Sequence, residues 1–199
     1  MPGPGLADIR TVFLDRDGTM NVKPPEGEYV TSPAGLVLLP GAARALARLN
    51  AAGIRTVLVT NQSWLSRPAG NAARYAAIHA RLTELLAAEG ARLDAAYHCP
   101  HAPGTCECRK PQPGMLRRAA RELRIELGQS VIIGDRGSDL KAGRAAGTST
   151  ILVRTSEDGS APADAGISAA ADADIVVDDL PAAVRLILRA RQVTARSGA

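Results

Sequence analysis

Thr11-Val12-Phe13-Leu14-Asp15-Arg16-Asp17-Gly18-Thr19 decides the fold. Four apolar or β-branched residues stop abruptly at two carboxylates. That is the pattern of a short buried strand whose end opens onto polar chemistry. Residues i and i+2 of an extended chain point the same way, so Asp15 and Asp17 can face one site. Gly18 supplies the turn that ends the strand. Two adjacent carboxylates repel each other unless a cation or a proton intervenes. An Asp-Gly turn is common on its own, so this stretch gains meaning only from the groups that the rest of the chain brings to it.

Outward from that strand, apolar runs and helical spacings alternate. Residues 18–40 read as a long loop. Ala42, Ala45, Leu46 and Leu49 make one face of a helix over 41–52, stopped by Gly53. Residues 54–59 form a second buried strand, and Tyr75, Ile78, Leu82 and Leu85 line a long amphipathic helix over 70–89. A third strand is expected over 93–98 and an irregular loop over 99–112. A helix follows around Leu116–Leu123, then a strand at 130–133, a helix at 139–146 and a strand at 150–153. A mobile loop is expected over 155–173, a last strand at 174–177, a last helix at 181–191, and a frayed tail over 192–199.

This order predicts one Rossmann-like, three-layer α/β/α domain spanning residues 1–199, with its core at about 9–190 and a mainly parallel sheet. The segments between elements are too short for a cap domain. In such sheets the ligand lies beyond the carboxyl ends of the strands. Asp15 and Asp17, Thr60 and Asn61, and Gly134 and Asp135 all fall at such ends, while Arg109 and Lys110 stand in a loop before a helix.

The 199 residues are 46% hydrophobic but only 3% aromatic, so the core must be built from Leu, Val, Ile and Ala. The net charge is +4. The basic residues are spread out, without the dense run of a nucleic-acid-binding tail, and such a charge suits a small phosphorylated substrate. Of the 24 basic residues only Lys23, Lys110 and Lys141 are lysines, which singles out their settings. The amino terminus lacks the pattern of a signal peptide, and no stretch is long and apolar enough to span a bilayer. A cytoplasmic monomer with neither a nucleic-acid nor a membrane partner is expected.

Asp15, Asp17 and Asp135 together make an oxygen-rich site of the kind that suits Mg2+. A phosphate dianion repels an attacking carboxylate, so a site that transfers phosphate needs a metal ion, a lysine and neutral donors. Thr60 and Lys110 fit those roles. With these motifs in order from Ile9 to about Leu188, the chain resembles the haloacid dehalogenase (HAD) superfamily of phosphatases. The motifs stand as Asp15-Arg-Asp-Gly-Thr19, Thr60-Asn61, Lys110, and Gly134-Asp135 with Asp139 following. The resemblance implies a phosphatase that passes phosphate through an aspartyl-phosphate. Asp15 would be the nucleophile and Asp17 the general acid and base. Asp15, the main-chain carbonyl of Asp17 and Asp135 would hold Mg2+. Thr60 and Lys110 would bind the transferring phosphate, with Asn61 a further substrate-binding residue.

Cys99, His101, Cys106 and Cys108 lie within ten residues. Three thiols and an imidazole form the donor set of a closed tetrahedral zinc site. Alternation along an extended chain pairs Cys99 with His101 and Cys106 with Cys108, and leaves His98 out of phase. Such a zinc would be structural and would pin Arg109 and Lys110 at the rim.

This loop, followed by Arg109-Lys110-Pro111, resembles two related families, the heptose-bisphosphate phosphatases and the histidinol-phosphate phosphatases. Thr60-Asn61-Gln62-Ser63 and the stretch from Cys108 to Met115 look closer to the first. That resemblance implies removal of the 7-phosphate of D-glycero-D-manno-heptose 1,7-bisphosphate, on the way to nucleotide-activated heptose, with Arg109 reading a distal phosphate. The alternatives are a histidinol-phosphate phosphatase, with Glu26 and Glu28 as candidate carboxylates for a cationic substrate, and more remotely a non-catalytic, zinc-stapled binding module. Three departures from the heptose pattern fall where a leaving group would sit: Trp64-Leu-Ser-Arg67-Pro68 after Ser63, Arg136 in place of a lysine as a substrate-binding candidate, and a longer loop from Val22 to Tyr29.

Overall fold

The computed structural model describes residues 5–25, 27–68, 70–154 and 173–197. The decisive apolar run is strand β1 (Thr11–Leu14), and all of it is buried. Its main chain pairs on one side with β2 (Arg55–Asn61) and on the other with β4 (Ser130–Gly134). Beyond β2 lies β3 (Ala95–Cys99); beyond β4 lie β5 (Ser149–Val153) and β6 (Ile175–Val177). The order is β3-β2-β1-β4-β5-β6, and every pairing is parallel.

Alternation of side chains along the strands builds the two outer layers. Val12, Leu14, Leu58, Val131 and Ile133 face α1 (Ala42–Ala51), α2 (Ala72–Ala87) and α5 (Leu180–Ser197), where Leu46, Leu49, Ile78, Leu82, Val184 and Ile187 pack on them. Phe13, Val57, Val59 and Ile132 face the other way, onto Met115, Leu116 and Ala119 of α3 (Gly114–Leu123) and Ala142 of α4 (Gly137–Ala146). Burying each large aliphatic side chain contributes about 1.5–3 kcal/mol, so both faces of a two-sided strand such as β1 hold it in place. This is the three-layer α/β/α domain the alternation predicts.

Strand order reverses at β1. The chain first winds outward through β2 and β3, then returns to the far side of β1 as β4. Such a switch point opens a crevice at the carboxyl ends of the strands, because the connections leave in opposite directions. The Asp15 N–H donates to Ile133 O at 3.0 Å, which fixes the exit of β1 against the exit of β4.

Some boundaries differ from the sequence reading. The last helix continues to Ser197 rather than ending at Arg191, so residues 192–197 are helical where a frayed tail was expected. No glycine or proline interrupts Gln192-Val-Thr-Ala-Arg-Ser197, so nothing stops the helix. The third strand begins at Ala95 rather than Leu93, because the Asp94 carboxylate turns back to accept from Thr56 N at 2.7 Å. The loop expected over 155–173 lies, except for Ala173, outside the described residues. Among the described residues, the segments 15–41 and 62–71 carry only short 3-10 turns and isolated bridges, and nothing there builds a cap. No described helix is long and apolar enough to cross a membrane.

Candidate active site

The two sheet ends carry different chemistry. A cavity of about 480 Å³ at the amino ends is framed by Arg10, Arg55, Arg92 and Arg124. A smaller one, of about 400 Å³, opens at the carboxyl ends and is lined by Asp15, Asp17, Lys23, Thr60, Asn61, Arg109, Lys110, Arg136 and Asp139. The smaller cavity is the candidate site: it holds the carboxylates and stands at the switch point. The larger one lacks such a cluster.

The loop after β1 is shaped by its own backbone. The N–H groups of Thr19, Met20 and Asn21 all turn toward Arg16 O, and Gly18 takes φ of 85°. Gly18 is required there for two reasons. That φ is unfavourable for other residues, and a Cβ would run into the Asp135 carboxylate. The glycine thus allows the β1 exit to lie directly against the β4 exit.

Asp15, Asp135 and Asp139 are buried, and each presents an oxygen within 4.8 Å of the others. Lys110, only 3% exposed, inserts its ammonium among them. Its Nζ donates to Asp15 Oδ1 at 2.7 Å and to Val59 O at 2.7 Å, and pairs with Asp139. Lys23 reaches in from the loop and donates to Asp135 Oδ2 at 2.7 Å. The other Asp135 oxygen, Oδ1, is buried with no hydrogen-bond partner. Asp139 also accepts from Arg136 N at 3.1 Å, a cap on the first turn of α4.

Charge balance follows from this packing. Burial lifts the Asp15 carboxyl to about 6; Lys110 opposes the rise and Asp139 adds to it. Burial likewise raises Asp135, together with repulsion from Asp15 and against Lys23, and it raises Asp139 against the pull of Lys110. Lys110 moves up despite burial, because Asp139 and Asp15 stabilise its charge. Burial lifts the carboxylates and their negative charge lifts the ammonium, and the three negative groups outnumber the two lysines, which leaves a surplus of negative charge. An additional cation is what this surplus accommodates. The buried, unpartnered Oδ1 of Asp135 and the all-oxygen donor set fit Mg2+.

Asp17 faces the same cavity but is held apart from the cluster. Arg16, itself 1% exposed, grips it through Nε at 3.1 Å and Nη2 at 2.9 Å. Asn21 Nδ2 donates at 2.9 Å and Gln62 Nε2 at 3.0 Å. Its side chain is therefore no member of the three-carboxylate group; only its main-chain carbonyl is left to serve a metal there.

Thr60, the last residue but one of β2, has its hydroxyl buried, accepting from Gln62 Nε2 at 3.0 Å. Asn61 was expected to bind substrate, but its amide has another task. Nδ2 donates to Lys110 O at 3.0 Å, and Oδ1 accepts from Lys110 N at 3.1 Å. It clasps the main chain of the lysine loop. Arg109 is half-buried and its Nη1 has no partner; Arg136 is exposed at the mouth.

The cysteine loop runs from the end of β3 to the start of α3. Cys99, His101, Cys106 and Cys108 gather their sulfur and nitrogen atoms within 4.8 Å. The sulfurs are 3.3–3.5 Å apart, and His101 Nδ1 is 3.2 Å from Cys108 and 3.6 Å from Cys99. A disulfide needs about 2.05 Å. A tetrahedron of Zn–S bonds of about 2.3 Å has edges of about 3.8 Å, so the loop fits a metal far better than a bridge. His98 lies outside the group, its ring 4.2 Å from that of Tyr75. Burial pushes the Cys99 thiol up to about 12. Cys106, despite burial, is brought down to about 7 by its hydrogen bonds with Cys108, Arg109 and Cys99.

Asp139, Lys23, Arg16, Asn21 and Gln62 are the participants that sequence reasoning left without a role. Two signals were present: Lys23 is one of three lysines, and Asp139 follows Asp135 by one helical turn.

Comparison with known proteins places this geometry. The HAD-hydrolase-like family model matches residues 107–183. A D-glycero-beta-D-manno-heptose-1,7-bisphosphate 7-phosphatase of Pseudomonas putida is 35% identical over 181 residues, covering 90% of this chain and 100% of its own length. The Bordetella bronchiseptica protein of that name is 37% identical over 182 residues, covering 91% and 99%. A crystal structure of D,D-heptose 1,7-bisphosphate phosphatase from B. bronchiseptica, complexed with magnesium and phosphate, superposes with a TM-score of 0.78 at 36% identity. That match covers 91% of this chain and 99% of the other.

Proposed function

This chain belongs to the HAD-like hydrolases and is a phosphatase, and from that premise we propose that it removes the 7-phosphate of D-glycero-D-manno-heptose 1,7-bisphosphate through an aspartyl-phosphate on Asp15. The observation that carries the reading is the Asp15–Lys110–Asp139 cluster beside Asp135, at the switch point of a chain that aligns over nearly its whole length with enzymes of that name. It gives no support to a non-catalytic binding module.

The residues divide the work as follows. The Asp15 oxygen not held by Lys110 attacks phosphorus, and the bond from phosphorus to the sugar oxygen breaks. Asp17 gives its proton to that leaving oxygen. It then takes a proton from water, whose oxygen attacks phosphorus, frees Asp15 and releases inorganic phosphate. Lys110 and the Thr60 hydroxyl offset and orient the phosphoryl oxygens, and Asn61 holds the Lys110 main chain in place. Asp15, Asp135 and the main-chain carbonyl of Asp17 would hold Mg2+. When bound, that ion supplies positive charge against the transferring phosphoryl group. Asp139, already shared between Lys110 and Arg136 N, orients the lysine rather than the metal. The Cys99, His101, Cys106 and Cys108 loop would hold a structural Zn2+.

Substrate preference follows from the mouth of the cavity. Arg109, with its buried Nη1 unpartnered, and the exposed Arg136 offer guanidinium groups to a second phosphate. Glu28 lines the same cavity, but the two guanidinium groups of Arg109 and Arg136 stand there too, so a cationic amino-alcohol such as histidinol phosphate finds a poorer match. Phosphate release with Mg2+ decides the matter. The reading predicts much faster release from heptose 1,7-bisphosphate than from histidinol phosphate; the reverse ranking rejects it.

A further inference from the structure

Four arginines meet at the amino ends of the strands, and none of them has a part in the proposed reaction. They frame the cavity of about 480 Å³ there, which is larger than the candidate active site. Each comes from a different element. Arg10 precedes β1, Arg55 opens β2, Arg92 lies between α2 and β3, and Arg124 ends α3. Main-chain contacts fix where each side chain starts. Arg10 N donates to Gln129 O at 2.8 Å, Arg55 N to Arg10 O at 2.9 Å, and Arg92 N to Asn50 Oδ1 at 2.9 Å. Arg55 Nη1 donates to Leu123 O at 3.0 Å, which ties that guanidinium to the end of α3.

The cavity carries an excess of positive charge. Its lining sets four guanidinium groups against two carboxylates, Asp94 and Glu126. Asp94 is already engaged: Oδ2 accepts from Thr56 N at 2.7 Å, and Oδ1 stands 3.6 Å from Arg92 Nε. Among the described residues, the side chains of Arg10 and Arg124 have no hydrogen-bond or ion-pair partner. Arg124 adds a second sign. It caps α3 in the left-handed conformation, with φ 53° and ψ 50°, and is the one described non-glycine residue with a positive φ. Glycine is the usual residue at such a helix end, because a side chain is strained there.

We propose that this cavity binds an anion of linked phosphate groups, either an inorganic polyphosphate or the phosphate chain of a nucleotide, and that Arg124 accepts its strained backbone to place a guanidinium there. Guanidinium forks match phosphate oxygens two at a time. Four of them, spread over four elements, suit several linked phosphates better than one. No aromatic residue lines the cavity, so the phosphate chain rather than a stacked base carries the affinity. Asp15 follows the opposite end of β1, so this anion and the substrate occupy separate cavities.

Isothermal titration calorimetry with tripolyphosphate and with ATP, at low ionic strength and without Mg2+, tests the site. Wild type should show saturable binding that weakens as NaCl is added. Arg10→Ala and Arg124→Gly should each bind about 5- to 10-fold more weakly, with wild-type phosphate release when no polyphosphate is present. The double variant Arg109→Ala/Arg136→Ala, altered at the mouth of the candidate active site, should keep the binding. Arg124→Gly should also melt about 2 °C higher, because glycine relieves the strained φ. Equal affinity for the two ligands supports the phosphate chain as the whole ligand, and tighter binding of ATP supports a nucleotide. Absence of saturable binding overturns the inference. So does wild-type affinity in both Arg10→Ala and Arg124→Gly, or binding lost only in the double variant. A lower melting temperature in Arg124→Gly overturns the role given to Arg124, and the affinity of Arg10→Ala then decides the site.

Discussion

Two clusters of metal-ligand chemistry lie side by side, joined through Arg109, and they are built on opposite plans. The carboxylates of Asp15, Asp135 and Asp139 come from the exit of β1 and, more than a hundred residues on, from the exit of β4 and the first turn of α4, and all are buried. Two lysine ammonium groups already stand against them, and one oxygen of Asp135 has no partner. The cysteine cluster comes from ten consecutive residues, His101 is exposed, and its four donors gather on one another. In the proposed function the first is an oxygen site that would admit substrate and an exchangeable ion. The second, in the same proposal, is a closed sulfur-rich site that would hold a structural Zn2+ and so fix its loop. Lys110 belongs to both: its ammonium is in the first, and its main chain begins two residues after the last thiol of the second.

The largest expected effect breaks the first cluster and spares the second. Asp15→Asn should lower phosphate release by at least about 10⁴-fold, with far-ultraviolet circular dichroism and bound zinc unchanged. Loss of zinc together with activity would show that the clusters are not separable. Next comes the reverse experiment. Stripping the thiol-bound metal with a thiol reagent should lower activity by about 10- to 100-fold even at saturating Mg2+. After the thiols are regenerated, Zn2+ should restore activity where extra Mg2+ does not; recovery with Mg2+ alone would contradict a structural role for the loop.

A third effect is read in stability. Asp15 is lifted from the ordinary 3.8 to about 6, by burial first and Asp139 second, against Lys110. The native state thus binds this proton more tightly than the unfolded chain does. The resulting stabilisation is complete below about pH 4 and is lost as pH rises through about 6, on the order of 3 kcal/mol for an isolated site. Without divalent ions, the stability of wild type minus that of Asp15→Asn should fall over that window in denaturant titrations. With Mg2+ present, binding to the ionised cluster should flatten or reverse the trend. A difference that ignores pH in both conditions contradicts the surplus-charge account.

The smallest effect tests the link. Asn61→Ala removes both hydrogen bonds to the Lys110 main chain. It should cost about 1–2 kcal/mol of stability and about 10-fold in kcat, through a displaced ammonium. An unchanged kcat would mean that the zinc-loop geometry alone places Lys110.

How much of this was readable beforehand depends on the distance over which each feature is made. β1 was legible because Thr-Val-Phe-Leu is apolar on both faces, and the cysteine set because alternation within ten residues fixes its geometry. The meeting of Asp15, Lys110 and Asp135 was legible only through strand ends and family resemblance. The partners of Asp17 were not: Arg16 and Gln62 are polar side chains with no periodic signature, and their roles arise only when β1 and β2 pair. The amide of Asn61 likewise turns to a main chain 49 residues away. The end of α5 was misplaced because a basic, alanine-containing tail reads as solvated whether or not it is helical.

The most direct test of the central claim is chemical trapping of the covalent step. Enzyme mixed with substrate and Mg2+ is quenched in acid during turnover and reduced with borohydride, and its peptides are then sequenced by mass spectrometry. The account predicts homoserine at position 15, the reduction product of an aspartyl-phosphate, and its absence when substrate is omitted. Turnover with an unmodified Asp15, or reduction at Asp17, Asp135 or Asp139 instead, would contradict it.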